Sequence, residues 1–148
     1  MDKVNFLFYQ QWPKIDKALC PPDTPENVVN YFDQATDSLN SGNFDAAGIM
    51  FRKALESATK GLDSELSRIN LVKRIEKLVE NNLITPALGE WATEIRLGGN
   101  DAAHEDEPFS KEEAQALHDF CENFLRYAFT LPAAVTRRAT VGCYTTSR

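Results

Sequence analysis

Apolar residues recur at intervals of three and four along most of the chain, and this spacing limits the fold more than any other feature. Such spacing places apolar side chains along one side of a helix. Helix-start patterns accompany it, since Thr24-Pro25 and Thr85-Pro86 put a threonine N-cap before a proline and Ser110 with Glu113 forms a capping box. No segment alternates apolar and polar residues as a half-buried strand does. The sequence therefore predicts an all-α protein.

About five helices are expected, joined by short connections as in a single up-and-down bundle. Their expected ranges are about 24–40, 43–61, 66–81, 85–96 and 110–131, the last one ending at Leu131-Pro132. The basic and acidic residues of the third helix, Arg74 among them, are interleaved as on a solvated face. The domain is expected over residues 24–132, between an irregular aromatic and proline-rich arm at 1–23 and a basic, flexible tail at 133–148.

The composition limits the classes of function. A hydrophobic content of 43% and a charged content of 26% suit one globular core. The net charge of −6 opposes nonspecific binding to nucleic acid, so any contact with RNA must be local. No apolar run approaches the length of about 18 residues that a membrane span requires, and the start lacks a signal-peptide pattern, so we expect a cytoplasmic protein.

Cysteine and acidic residues give no pattern for a bound metal. The three cysteines are odd in number and far apart, which predicts neither a disulfide framework nor a zinc site. Cys121 is expected in the core. The acids that follow His104 form a run beside one histidine, which is not a specific ligand pattern. We therefore expect no metal and no cofactor.

The segment from Arg96 to His104 is the candidate functional site. Gly98 and Gly99 interrupt the helical pattern, so Arg96 is expected at a helix end and the following residues in a turn. Such a turn can bring Arg96, Asn100 and His104 together, and the two glycines allow backbone to approach a ligand or an opposing chain closely. A guanidinium, an amide and an imidazole suit phosphodiester chemistry without a metal.

A structural interpretation of the same residues stays open. Arg96 can be a cation at a helix C-terminus, Asn100 a turn former and His104 a capping or packing residue. Arg52 and Glu56 lie four residues apart, either as an ordinary surface pair or as a buried polar pair that reaches the glycine turn. In the second case they are candidate binding residues together with Gly98 and Gly99. His118 is interpreted as a boundary histidine with a satisfied hydrogen bond.

The order of these features resembles the DUF4145 family, a branch of the HEPN superfamily of helical nucleotide-binding domains. The likeness covers roughly residues 12–132. It is carried by Trp12-Pro13, Tyr31 to Ala35, Gly42 to Ala47, Arg52 to Glu56 and, most specifically, Ile95-Arg96 through Gly99-Asn100 to Ala103-His104.

The resemblance implies a helical domain that pairs as a homodimer and interacts with RNA or a nucleotide, or with a partner protein. Many HEPN domains are metal-independent endoribonucleases, and those roles would fall on Arg96 and His104 with Asn100 in support. Seven residues lie between Arg96 and His104, more than in the usual active motif. A noncatalytic or weakly active module is therefore expected first, and a nuclease that forms a 2′,3′-cyclic phosphate second. A defence or toxin-type setting is implied by the resemblance alone.

Overall fold

The computed structural model describes residues 20–97 and 106–146, with side chains up to residue 140. The prediction of an all-α helical bundle is confirmed, and no strand occurs in the described ranges. The helices are α1 (Glu26–Asn40), α2 (Phe44–Leu62), α3 (Leu71–Glu80), α4 (Pro86–Glu94), α5 (Lys111–Leu125) and α6 (Leu131–Thr146). Since α5 and α6 are joined by a π-helical turn over Arg126–Thr130, they form one rod.

The core lies between α1, α2 and α5, and the hairpin of α3 and α4 packs against α2 and α5. Phe32 and Phe51 meet edge to face, with their ring centroids 5.5 Å apart. Each aromatic ring removed from water in this way contributes about 1.5–3 kcal/mol. Trp91, which is only partly buried, packs edge-on against Phe120 at 5.5 Å. Cys121 is fully buried, as predicted.

Two of the three predicted capping patterns are confirmed. The hydroxyl of Thr85 accepts a hydrogen bond from the Leu88 N–H, and Ser110 with Glu113 forms the complete capping box. Thr24 was wrongly predicted as a cap. Its hydroxyl donates to the Pro21 carbonyl at 2.7 Å instead, and α1 begins at Glu26 with no side-chain cap.

The third helix begins later than predicted. Residues Ser64–Arg68 form a 3-10 turn, and α3 starts only at Leu71, after an Asn70 side chain that accepts from the Lys73 N–H. Leu66 of the 3-10 turn and Leu71 of α3 are both buried, so apolar residues alone did not mark where the helix begins. Asn70 was the missed signal, since asparagine is among the strongest N-caps.

The predicted helix end at Leu131-Pro132 is wrong, because helical backbone continues to Thr146. A proline inside a helix lacks its N–H and clashes with the carbonyl four residues before it. The wider turn over Arg126–Thr130, in which the Leu131 N–H donates to the Arg126 carbonyl, comes just before this proline. Pro132 then lies in the first turn of α6, where proline is tolerated. Residues 133–146 of the predicted tail are thus helical.

The segment before α1 is fastened to the middle of this rod, at the π turn and the first half of α6. The Thr130 hydroxyl donates to the Pro22 carbonyl at 2.6 Å, and the guanidinium of Arg137 donates to both carboxylate oxygens of Asp23 at 2.9 and 3.2 Å. Most of the predicted arm, residues 1–19, lies outside the described residues.

Among the residues that the structure describes, no helix combines the length and the apolar character needed to span a membrane.

Candidate functional site

The candidate site lies where the chain passes from α4 to α5. Ile95 leaves the helix with extended backbone, at φ −107° and ψ 158°, so Arg96 follows α4 rather than forming its last turn. Leu97 is 3% exposed and anchors the chain in the core directly after the arginine. The described chain resumes at Asp106. Gly98, Gly99, Asn100 and His104 lie outside the described residues.

The guanidinium of Arg96 holds the chain just before α5. It donates to the carbonyl of Glu107, to the carbonyl of Pro108 at 3.2 Å, and to the carboxylate of Glu113 at 3.5 Å. Only 13% of the arginine side chain is exposed. Hydrogen bonds from a cation to carbonyl and carboxylate oxygens are stronger than neutral ones. Arg96 therefore joins the two ends of the connection that contains the glycine pair.

Phe109 continues this contact into the body of the protein. Its ring lies under the guanidinium of Arg96, with the Cζ atom 4.3 Å from the ring centroid, at a distance typical of a cation–π contact. The ring also lies against Gly48 of α2, where a Cβ atom would come within 2.4 Å of the ring. The Phe109 N–H donates to the Asp45 carboxylate at 3.0 Å. Arg96, Phe109, Gly48, Asp45 and Glu113 form what we term the Arg96 clasp.

Glu113 supplies both the cap of α5 and the negative charge of the clasp. Desolvation raises the pKa of its carboxyl, but hydrogen bonds from the backbone and side chain of Ser110 and the charge of Arg96 together outweigh this effect. The pKa of Glu113 is consequently lowered, which favours the carboxylate that both partners need. The clasp is thus a charge-assisted contact at neutral pH.

The chemistry open to Arg96 follows from these contacts. A phosphate would have to replace backbone carbonyls and a carboxylate as partners of a side chain that is mostly buried. As described, the guanidinium holds a turn in place. Whether Asn100 and His104 converge on it stays a prediction, because residues 98–105 lie outside the described part of the chain.

Arg52 and Glu56 form the surface pair that the sequence favoured. The Nε atom of Arg52 lies 3.2 Å from the Oε1 atom of Glu56, and the two side chains are 38% and 39% exposed. Because both side chains are partly exposed, the pair is not a fully buried one, and a contact with the glycine turn stays a prediction, since residues 98–105 lie outside the described part of the chain. An exposed pair of this kind adds at most about 1 kcal/mol.

His118 is more deeply buried than a boundary residue, with 4% of its surface exposed. Its Nδ1 atom lies 2.9 Å from the Asp119 carboxylate, as the expected hydrogen bond requires. Its Nε2 atom has no hydrogen-bond partner within the described part of the chain. The ring packs between Phe32 and Phe51, with centroid distances of 5.6 and 5.4 Å. The predicted hydrogen bond is present, whereas the predicted boundary position is wrong because the residue is buried.

Sequence reasoning missed Phe109 and Asp45. Phe109 directly precedes the Ser110 cap, which is the position of a hydrophobic staple, so its burial had a recognisable signal. The sequence signal for Asp45 was weaker, since an acid in the first turn of α2 is explained by the helix dipole alone.

The model of one protein family matches residues 33–140, from within α1 to within α6, and its description is "Domain of unknown function (DUF4145)". The matched range contains the whole Arg96 clasp and the Arg52–Glu56 pair. The comparisons with curated proteins and with solved structures each found no match.

Proposed function

The chain belongs to the DUF4145 family, and we propose that it is a noncatalytic, HEPN-like module that acts in the cytoplasm as a homodimer and binds RNA or a nucleotide. Its contact with the ligand lies at the connection between α4 and α5, with Asn100 and His104 as the binding side chains. Gly98 and Gly99 let the backbone approach the ligand.

The observation that supports a noncatalytic role is the position of the Arg96 guanidinium. A nuclease arginine must meet the negative charge that develops on the phosphorus atom, and it gains most when it is already aimed there. In this protein the guanidinium is directed at the carbonyls of Glu107 and Pro108 and at the Glu113 carboxylate. Arg96 is thereby a positioning residue for the connection.

The negative net charge of the protein supports a contact with only a small part of a ligand. With 22 acidic against 16 basic residues, most of the surface repels a phosphate backbone. Binding then depends on one or two phosphates held at the connection. A nucleotide or an RNA end fits this requirement better than a long single strand.

Cleavage is the alternative, with His104 moving protons, Arg96 stabilising the phosphorane and a 2′,3′-cyclic phosphate as product. It requires Arg96 to exchange its protein partners for a phosphate. The spacing of seven residues between Arg96 and His104 also favours binding over cleavage. The family resemblance supports a defence or toxin-type setting, both for the binding module and for the nuclease.

Cleavage and binding are measured on the same labelled single-stranded RNAs and nucleotides, with the full chain, His104→Ala, Asn100→Ala, Arg96→Ala and Lys60→Ala. We expect no cleavage by the full chain above that of His104→Ala. We expect saturable binding that His104→Ala and Asn100→Ala weaken about tenfold, the loss of one good hydrogen bond. The variant Lys60→Ala, at an exposed residue in the last turn of α2, should bind as the unaltered protein does.

Arg96→Ala distinguishes a positioning role of Arg96 from a catalytic one. A positioning role predicts a loss of folding stability of about 2 kcal/mol in addition to weaker binding. Thermal unfolding followed by circular dichroism measures this loss. A cyclic-phosphate product made by the full chain and not by His104→Ala would overturn the noncatalytic proposal. Absence of binding to every RNA and nucleotide would overturn the ligand class.

A further inference from the structure

The described chain begins against the rod of α5 and α6, and its first residues are held there. The Pro22 carbonyl accepts a hydrogen bond from the Thr130 hydroxyl at 2.6 Å, and Pro21 is buried. Cys20 is half-buried and packs against the core. Residues 1–19 lie outside the described range, and we term them the outer arm. The outer arm is therefore attached to the body at a fixed point.

Cys20 lies close to both α1 and α5. Burial and the charges of Asp33 on α1 and of Glu122 on α5 raise the pKa of its thiol to about 11. Carboxylates raise the pKa of a thiol appreciably only at short range, since solvent and salt screen their charge. The outer arm thus starts at the boundary between these two helices.

A groove follows this boundary. The helices α1 and α5 both pack on α2 and make less contact with each other. The rings of Phe32 on α1 and His118 on α5 have their centroids 5.6 Å apart, and both rings contact Phe51 of α2. The groove between α1 and α5 accordingly lies on the side of this ring cluster that faces away from α2.

Acidic side chains of both helices lie near this groove. Asp33 belongs to α1, and Asp119 and Glu122 are neighbours three residues apart on α5. The helix α1 contains no basic residue, and α5 contains only Lys111, at its first position. Arg126, one turn beyond Glu122, is already bonded to that carboxylate at 2.7 Å. The groove therefore favours a segment that carries basic side chains.

The outer arm carries such side chains in the residues nearest Cys20. Lys14 and Lys17 lie six and three residues before it, and Asp16 is the only acidic residue between Lys3 and Cys20. Apolar residues accompany these charges at Trp12, Ile15, Ala18 and Leu19. Six residues of extended chain span about 20 Å, so both lysines can reach carboxylates close to Cys20.

We propose that the outer arm packs in the groove between α1 and α5 of its own chain, with Lys14 and Lys17 among the acidic side chains there. The apolar residues of the arm then cover the ring cluster from the side opposite α2. A segment of the same chain docks without the loss of translational freedom that a separate partner suffers, so modest contacts are sufficient. This contact does not depend on the ligand of the proposed function.

Zero-length cross-linking of the full chain with a carbodiimide tests the contact, because this reagent joins a lysine amine only to a carboxylate that it meets directly. We expect amide bonds from Lys14 or Lys17 to the acidic residues of the groove, located by mass spectrometry. Lys77, whose amine is 3.0 Å from the Glu80 carboxylate, is the positive control. A mixture of isotopically labelled and unlabelled chains shows whether each bond lies within one chain.

Two results of this experiment would overturn the proposal. One is the absence of bonds to the groove although Lys77 is joined to Glu80. An arm that lies on α6 would give this result, because residues 123–148 contain no aspartate or glutamate. The other is bonds formed solely between labelled and unlabelled chains, which would assign the groove to the arm of a second copy.

Hydrogen exchange measures the docking without a cross-linker. Amides of residues 12–19 should exchange at least about tenfold more slowly in the full chain than in a free peptide of that sequence. Lys14→Glu combined with Lys17→Glu should remove this protection, whereas Lys60→Glu, at an exposed residue of α2, is the matched control and should leave it unchanged. Exchange at the free-peptide rate in the unaltered chain, or protection that the double variant retains, would overturn the proposal.

Discussion

At the scale of single residues, Arg74 differs most from its predicted role. The sequence pattern placed it on a solvated face, whereas its guanidinium binds several groups of the protein. Its Nε atom donates to the Ile69 carbonyl at 2.9 Å, and its Nη atoms donate to the carbonyls of Glu56 and Ser67 at 3.1 and 3.2 Å. It also donates to the Thr59 hydroxyl. One guanidinium thereby joins the last turns of α2, the 3-10 turn and the start of α3.

Arg74→Ala should lower the free energy of unfolding by about 2–3 kcal/mol, because it leaves several half-buried carbonyls without a donor. Arg74→Lys should recover little of this, since an ammonium cannot donate in three fixed directions. Urea unfolding measures both. The neighbouring Lys73→Ala is the control, with an expected change below about 0.5 kcal/mol. If Arg74→Lys is as stable as the unaltered protein, the role assigned to the guanidinium of Arg74 is contradicted.

Glu113 gives the Arg96 clasp a dependence on pH. A carboxyl whose pKa is lowered in the folded state stabilises the protein above its unfolded pKa, and that contribution is lost as the pH falls through the folded value. Glu113→Gln should therefore be less stable than the unaltered protein at pH 7, by about 0.5 kcal/mol for a side chain this exposed.

The difference between the two proteins should disappear well below pH 4.5, the ordinary pKa of the group. Chemical unfolding at several pH values measures it. Glu112→Gln, in the same first turn of α5, serves as the control and should show no such convergence. A difference that stays constant from pH 7 to acidic pH would show that charge has no part in the clasp.

Sequence patterns could not predict the role of Arg74. Helical spacing tells which side of α3 a residue occupies, and Arg74 indeed lies beside other charged residues there. The carbonyls that it binds belong to the end of α2 and the 3-10 turn. Their position depends on how α2 and α3 meet, which no local pattern contains.

At the scale of elements, the contact between α2 and the start of α5 depends on one missing side chain. Gly48 lies inside α2, where glycine costs about 1 kcal/mol relative to alanine. The absent side chain leaves space for Phe109, since a Cβ atom at Gly48 would come within 2.4–2.6 Å of three atoms of the Phe109 ring. The ring is also held by Arg96, so it has little room to move.

Gly48→Ala should destabilise the protein by about 1–3 kcal/mol, because the cost of overpacking exceeds the gain in helix propensity. Gly61→Ala is the matched change in the same helix, and nothing lies within 4 Å of the Cβ atom it would add. That variant should be more stable by up to about 1 kcal/mol. Thermal unfolding of both measures the difference, and equal shifts would contradict the proposed crowding at Phe109.

The existence of the helices was predictable and some of their ends were not. Caps with a side-chain acceptor, such as Thr85 and Ser110, marked two starts correctly. Pro132 was misleading because a proline that normally ends a helix can follow a widened turn. A π turn has no sequence signature that distinguishes it from a helix end.

At the scale of the whole molecule, the sequence predicted a functional site at the connection between α4 and α5, and the structure shows Arg96 bonded to Glu107 and Pro108 at the other end of that connection. Sequence patterns could not predict that the guanidinium contacts Glu107, Pro108 and Phe109, because these residues are far from Arg96 in the sequence. The helix spacing predicted the core and the family match covers most of it, from residue 33 to residue 140. Long-range polar contacts are the part that pattern reasoning left out.

The two ends of the described fold form one contact. Pro22 and Asp23 bond to Thr130 and Arg137, across more than a hundred residues of sequence. If α6 frays, the segment before α1 loses its partners, and the reverse also holds, so the two should open together as one cooperative unit. Amide hydrogens of α6 should then exchange with solvent at a rate set by events at the opposite end of the chain.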